Sequence, residues 1–412
     1  MGGGPAGMSA AYYLARLGYP VTVFEAMPVP GGMMAIGIPS YRLPRDVLQA
    51  EIARIVGLGV DLRLNAAMGR DFTLGDLEKE GYRAVFLATG ASKSRRLGVP
   101  GDDAPGVVPA TLFLKRVNLG EEPRLSGPAV VVGGGSTAMD AARSAWRSGA
   151  SPVTVVYRRG RTEMPAQVEE IEAAEREGIV VRTGLAPVEV VGRDGAVIGM
   201  RCIQTRPAAG VAADTQTQWE PVPGTDEELA ATTILVAVGE EPDPSILPAG
   251  AGIEVSGWAG IVADPRTLAT GRAGIFAGGD VVSGPKTIID AVASGRRAAA
   301  SIHEYLAGVT DGERAILATV RYPTAPEGRL TLDLSTRPRA HAPLPMIQVG
   351  SVEATQIGFD EAAARAEAGR CFRCDAVYSG PLVEVRAGRG PDVPAPIKHP
   401  SVATHEIAGG TL

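Results

Sequence analysis

Short apolar runs recur along the first three hundred positions, each closed by glycine or a charged residue, with helix-period stretches between them. The chain opens on the turn Gly2-Gly3-Gly4-Pro5-Ala6-Gly7, and an apolar helical period from Met8 to Leu17 ends near Gly18. The β-branched run Val21-Thr22-Val23-Phe24 follows and stops at Glu25. The same order returns at Ala129, with a strand to Val132, the turn Gly133-Gly134-Gly135-Ser136-Thr137-Ala138, a helix to about Ser148 and a strand from Val153 to Tyr157. Ala84–Gly90, Ile234–Gly239 and Gly274–Ala277 read as further buried strands, and Thr287 to Leu306 as a long helix. Strands alternating with helices in this way predict parallel sheets of the α/β class. Two copies of one unit about 130 residues apart predict two Rossmann-like dinucleotide-binding domains, since a solenoid would repeat every 20–50 residues or so.

The last hundred residues break the pattern. Thr310 to Pro345 shows no sustained period, Asp360 to Ala368 reads as an alanine-rich helix with Asp360 as N-cap, and 391–412 reads as a loose tail. The expected division is residues 1–110 and 256–308 for a discontinuous first domain, 111–255 for a second domain inserted into it, and 309–412 for a C-terminal extension.

Composition narrows the classes. The 412 residues carry a formal net charge of −6, the opposite of a nucleic-acid footprint. Fifty-three glycines and 32 prolines exclude a coiled coil. Three cysteines exclude a disulfide framework and suit a reducing compartment. No stretch has the roughly 18 uninterrupted apolar residues of a membrane span, and no signal peptide is visible, so the expected setting is the cytoplasm.

The two glycine turns carry the chemistry. In a G-x-G-x-x-G turn the first glycine permits the strand-to-helix corner, the second lets a pyrophosphate approach the backbone, and the third lets the helix pack closely. Gly2, Gly4 and Gly7 fit those positions, as do Gly133, Gly135 and Ala138. A single such motif also suits a glycine-rich hairpin loop. What distinguishes the two copies is the end of the following strand. Glu25 can accept the hydroxyls of a free ribose and would repel a 2′-phosphate, whereas Arg158-Arg159 suit a 2′-phosphate. FAD at the first turn and NADPH at the second satisfy that pair. Gly278-Gly279-Asp280 ahead of a helix suits the far end of a flavin site. There Asp280 faces the ribityl chain and the N–H groups near Thr287 and Ile288 face the isoalloxazine edge; an N-cap aspartate after a turn is the plainer alternative.

Those segments, with Gly31-Gly32-Met33-Met34, Gly37-Ile38-Pro39-Ser40-Tyr41-Arg42-Leu43-Pro44 and Glu163-Met164-Pro165, resemble the small (β) subunit of NADPH-dependent glutamate synthase. They resemble equally the related module in the N-terminal half of dihydropyrimidine dehydrogenase and NADPH:ferredoxin-type flavoproteins. The resemblance covers about residues 1–308. It implies flavin contacts from the turn Gly2, Gly4, Pro5, Ala6 and Gly7, and from Glu25, Gly32, Arg42, Gly279, Asp280 and Thr287. It implies NADPH contacts from Gly133, Gly135, Ser136, Thr137, Ala138, Arg158 and Arg159, with the corner Ala237-Val238-Gly239 nearby.

Three departures from the family pattern qualify this. The strand expected ahead of Gly2 is not in the chain, which implies either an upstream start or a damaged first site. The N-terminal domain that holds two iron–sulfur clusters in such proteins is not in the chain either. Cys371-Phe372-Arg373-Cys374 resembles the opening of such a cysteine motif, but near the C-terminus. With Cys202 as the only other cysteine, a four-thiolate cluster is out of reach for this chain alone. Two free thiols, a cluster shared with a partner and a redox-active dithiol stay open for Cys371 and Cys374. No catalytic triad, paired carboxylate or metal cluster stands out, so no side chain is assigned as catalytic and the flavin carries the chemistry.

The expected function is that of an FAD-dependent oxidoreductase taking hydride from NADPH. Its electrons would pass to an iron–sulfur protein or a large catalytic subunit. A self-sufficient NADPH dehydrogenase with a small-molecule acceptor and a non-catalytic scaffold subunit are the alternatives.

Overall fold

In a computed structural model, the described residues are 1–208, 218–248 and 250–319, with short pieces at 331–333, 361–362, 364–365 and 384–386. The chain divides into two units, Met1–Val320 with Leu344–Ile357, and Arg321–Pro343 with Gly358–Leu412.

The first unit opens with helix α1 (Pro5–Arg16), strand β1 (Thr22–Phe24), and helices α2 (Met33–Ile36) and α3 (Arg45–Val56). Strand β2 (Asp61–Arg63), helix α4 (Leu74–Lys79) and strand β3 (Val85–Leu87) follow. Strands β1 and β2 pair in parallel. Met1 and Gly2 lie between β1 and β3: the Gly2 amide donates to Phe24 O and the Ala88 amide to Met1 O, each at 2.8 Å.

The chain then crosses through β4 (Lys93–Ser94) into a second lobe, built from β5 (Val107–Pro109), α5 (Ala110–Asn118), β6 (Ala129–Val132), α6 (Ser136–Arg147), β7 (Val153–Tyr157), α7 (Val168–Arg176) and β8 (Val180–Thr183). An antiparallel layer follows, of β9 (Leu185–Arg193), β10 (Ala196–Pro207), β11 (Trp219–Pro221) and β12 (Glu227–Ala230), before β13 (Thr233–Val236) completes the parallel sheet. That sheet runs β5-β13-β6-β7-β8. Its apolar face packs on the antiparallel layer, with Val130, Val132, Ile234 and Val236 against Leu185, Val190, Met200 and Cys202. Burial there pushes the Cys202 thiol up to about 12, so this cysteine is an inert core residue.

The chain returns through β14 (Glu240–Glu241), which pairs antiparallel with β4. Strand β15 (Ile275–Ala277) pairs in parallel with β3, and the helices α8 (Asp280–Ser283), α9 (Ile288–Ala307) and α10 (Gly312–Thr319) end the unit. Helix α9 lies hard against α1, because the crossing is lined by Ala6, Ala10, Ala298 and Ala299. A Cβ at Gly295 would stand 2.1 Å from Ala6 O. Small residues here let two helix N-termini converge on one place.

Elements from both ends of this unit build the first lobe, and the second lobe lies between them in the chain. Val107–Pro109 already belongs to the second sheet, and Ile246, Leu247 and Ile253 already pack in the core of the first lobe. Residues 312–319, read as aperiodic, form a helix that packs Ile316 into the core with α1 and α9. In the second unit, β16 (Thr331–Asp333) pairs in parallel with β17 (Glu384–Arg386). Helical residues at 361–362 and 364–365 fall within the expected alanine-rich helix. Cys371, Cys374 and the tail lie outside the described residues.

Candidate functional site

A cavity of about 620 Å³ opens where the first-lobe strands end, within the usual range for a ligand pocket. The N-terminus of α1 supplies Gly2, Gly4, Pro5 and Ala6 to its wall, and that of α9 supplies Thr287 and Ile288. Glu25, Gly32, Gly279 and Asp280 also line it. Most residues expected at the first site therefore meet around one space.

The glycines divide by role. A Cβ at Gly7 would sit 1.9 Å from Gly2 O, so Gly7 is spent on close helix packing, away from the cavity. A Cβ at Gly4 would meet nothing nearer than Gly32 Cα at 3.8 Å, which leaves its backbone open to a bulky anion. No side chain caps α1, so its first-turn N–H groups face the cavity side without an internal partner from a cap. Glu25 is buried at the end of β1. Its carboxylate accepts from the amides of Gly3 at 2.6 Å and Met27 at 2.7 Å, which fixes its direction while leaving further lone pairs free.

Helix α9 is arranged differently. The Thr287 amide and hydroxyl both donate to Asp290, and the Asp290 amide donates back to the hydroxyl in a capping box. The Thr287 groups are thus engaged, and it is the first-turn amides from Ile288 onward that lack this internal partner. Burial raises the Asp280 carboxyl above its ordinary range, and burial with the nearby Asp280 charge does the same to Glu240. Glu240, Asp243 and Lys115, all lining the cavity, were not foreseen. They stand far from the glycine turn in sequence and arrive only because the inserted lobe folds back over it.

Arg42 does not line the cavity. Its Nη1 donates to both oxygens of Asp140 at 2.7 and 2.8 Å, and its Nη2 pairs with Glu170. The resemblance implied a flavin contact there; the structure instead joins Arg42 to the second lobe.

The second glycine turn sits where the order of the parallel sheet reverses, between β6 and β13, the usual crevice for a dinucleotide. A Cβ at Gly133 would stand 2.3 Å from Ala237 O, so the turn and the Ala237–Gly239 corner are neighbours. A Cβ at Gly135 would meet nothing within 4 Å. No side chain caps α6, leaving Ser136, Thr137 and Ala138 in an open first turn. The loop after β7 is braced on both sides: Thr205 Oγ1 donates to Arg158 O and the Gly184 amide to Arg159 O, each at 2.7 Å. Glu163, from the Glu-Met-Pro segment, accepts from the Gly160 amide and from Trp219 Nε1, each at 2.9 Å. Among the described residues, neither Arg158 nor Arg159 has a carboxylate partner. Two guanidinium groups on a rigid loop are ready for an anion.

The described residues contain no cluster of metal-ligating side chains and no helix long and apolar enough to cross a membrane.

Residues 1–295 match the sequence profile described as "pyridine nucleotide-disulphide oxidoreductase". The NADP(+)-dependent formate dehydrogenase subunit beta of Moorella thermoacetica is 45% identical over 386 residues, covering 91% of this chain and 54% of its own length. The glutamate synthase [NADPH] small chain of Escherichia coli is 35% identical over 321 residues, covering 74% of this chain and 68% of its own. FprA of Mycobacterium tuberculosis, solved in complex with NADPH, shares the fold with a TM-score of 0.63 at 19% identity, over 77% of this chain and 88% of that one. The chain thus spans little more than half the length of its Moorella relative.

Proposed function

The chain belongs to the pyridine nucleotide-disulphide oxidoreductase family, among relatives that include glutamate synthase small chains, and from that premise we propose that it is the FAD-bearing, NADPH-oxidising part of a larger electron-transfer enzyme. The observation that carries the reading is the contrast between the two sites: a buried carboxylate, Glu25, ends the strand after the first turn, and a braced arginine pair without a carboxylate partner among the described residues, Arg158-Arg159, ends the strand after the second. The same position carries opposite charge, so the two sites select opposite ribose chemistry.

The residues present fit both groups. In the first site the open face of Gly4 and the uncapped α1 N-terminus receive the FAD pyrophosphate, Glu25 the adenosine ribose, and Asp280 the ribityl chain. In the second, Gly135 and the α6 N-terminus receive the NADPH pyrophosphate, and Arg158 and Arg159 its 2′-phosphate. Bound FAD supplies a two-electron acceptor that can release its electrons singly. The protein supplies the rest: an apolar cavity lining would keep water out, and the open helix N-termini would fix donors toward developing negative charge.

A partner subunit takes the electrons onward. The match to the Moorella subunit covers too much of the chain to stop at residue 319, whereas the glutamate synthase match need not pass it. That difference favours the partner subunit of a dehydrogenase over the large subunit of a glutamate synthase; the acceptor we propose on it is an iron–sulfur group, in a reducing cytoplasm. The amination step of glutamate synthesis is not assigned to this chain.

Arg158→Ala tests the reading. Loss of a charge-assisted hydrogen bond, worth about 1.5–3 kcal/mol, should weaken NADPH by roughly tenfold to a hundredfold. NADH should change by less than about threefold on the same arithmetic. Equal losses for both nucleotides refute the 2′-phosphate assignment.

A further inference from the structure

The most specific stretch of the family resemblance, Gly37 to Pro44, is used between the lobes. It leaves α2 as a tight turn, in which the Arg42 and Leu43 amides donate to Pro39 O at 3.0 and 3.1 Å. Its two central side chains then enter the second lobe. Tyr41 is 5% exposed, unusually deep for a loop residue. Its ring carries the Arg147 guanidinium at 4.1 Å and the Arg143 guanidinium at 4.8 Å from the centroid. Both arginines are held by a single carboxylate, Glu177, at 2.6 Å, so the negative face of the ring completes their compensation. Arg42 grips Asp140 with two hydrogen bonds and Glu170 with its other nitrogen.

Asp140, Arg143 and Arg147 lie on one face of α6, the helix whose first turn begins at Ser136 in the second glycine motif. The loop from the first lobe therefore holds the same helix that offers its N-terminus to the second nucleotide. Besides this grip, the lobes meet where α2 lies beside α5, with Asn118 Nδ2 donating to Ile36 O at 3.0 Å, and the chain joins them covalently through the two crossings that pair as β4 and β14. Two such crossings allow a hinge or a swivel unless something else sets the angle.

We propose that Tyr41 and Arg42 are positioning residues for hydride transfer, fixing the orientation of α6, and with it the second nucleotide site, toward the first-lobe cavity. This rests on the two-nucleotide reading above. Stability is a poor explanation for the grip. Burial of Asp140 outweighs the attraction of Arg42 and pushes its carboxyl up to about 6, so the ionised pair is an expensive way to hold two lobes together. Asp140 is buried while Arg42 keeps part of its side chain in solvent, and an ion pair with a buried partner is weak evidence for stability.

The test uses the full chain with Arg42→Met and, as a milder variant, Glu170→Gln, which leaves the Asp140 contact in place. Three quantities are measured: hydrogen exchange of residues 37–44 and of α6 in flavin-free protein, NADP+ affinity by calorimetry, and the rate of flavin reduction by NADPH in stopped flow. For R42M the expected result is at least tenfold faster exchange in both segments and NADP+ affinity within about twofold of wild type. Reduction should be slower by roughly tenfold to a hundredfold, the cost of a misplacement near 1 Å. Retained FAD binding in R42M separates this role from a flavin contact. Glu170→Gln should fall between R42M and wild type. Unchanged exchange overturns the proposal whatever the flavin does, as does a loss of NADP+ affinity that matches the loss of rate. If R42M does not fold, unchanged exchange and rate in E170Q overturn it. If the wild-type protein is not reduced by NADPH, the proposed function fails, while exchange still decides whether the grip exists.

Discussion

Gly7→Ala and Gly4→Ala form a matched pair that separates packing from ligand space. Both glycines belong to the same turn, and each gains one methyl group. At Gly7 the new carbon would lie 1.9 Å from Gly2 O and 3.1 Å from its carbonyl carbon. Both are backbone atoms, so no side chain can swing aside, and the start of α1 has to move away from the turn. Overpacking of this kind costs about 1–3 kcal/mol. Gly7 lies within α1, where alanine recovers up to about 1 kcal/mol in helix propensity. With that gain the net loss reaches about 2 kcal/mol, or a fall of a few degrees in Tm for a unit of this size. At Gly4 the backbone is extended, with φ −75°, and nothing lies nearer than 3.8 Å. That methyl costs the fold little but stands where the pyrophosphate must approach, so FAD affinity should fall by about tenfold to a hundredfold, or about 1.4–2.8 kcal/mol. Scanning calorimetry on flavin-free protein gives the first quantity and FAD titration the second. If Gly4→Ala melts early while Gly7→Ala melts with wild type, the assignment of roles in the turn is wrong.

Glu25→Gln should leave one of the Gly3 and Met27 amides without its acceptor, at a cost of about 1–3 kcal/mol; FAD titration should show at least tenfold weaker binding, and equal affinity would remove Glu25 from the ribose site. Asp140→Asn tests the buried carboxyl through pH. Because its folded pKa is raised from 3.8 to about 6, the stability it contributes is full below about pH 4 and is lost as pH rises through 6, by up to about 3 kcal/mol. The melting temperature of D140N relative to wild type should therefore rise between pH 5 and pH 7, and a flat difference would contradict the burial argument; the groups facing Asp140 are Arg42, Glu170, Arg143 and Tyr41.

Local pattern carried much of the fold. The strands Ala129–Val132 and Val153–Tyr157 form with the bounds their apolar runs suggest, because each is a continuous β-branched run in a sheet covered on both faces. The antiparallel layer was less visible, although Asp194-Gly195, with φ +52° and +77°, is a recognisable hairpin turn between β9 and β10. The glycine turns could be assigned to roles because one residue type at a fixed spacing does one job. Tyr41 and Arg42 could not. An exposed-looking aromatic and arginine on a loop gain their meaning only when the inserted lobe brings Asp140 and Arg147 against them, about a hundred residues later in the chain. The same holds for Lys115 and Glu240, which reach the cavity through the crossing between lobes and carry no local motif.

Anaerobic reduction of the FAD-reconstituted protein by NADPH and by NADH is the decisive measurement. NADPH should bleach the flavin absorbance band and NADH should bleach it much more slowly, with the preference erased by Arg158→Ala. A protein that takes up no FAD, or one whose flavin is bleached equally by both nucleotides, would contradict the two-nucleotide reading.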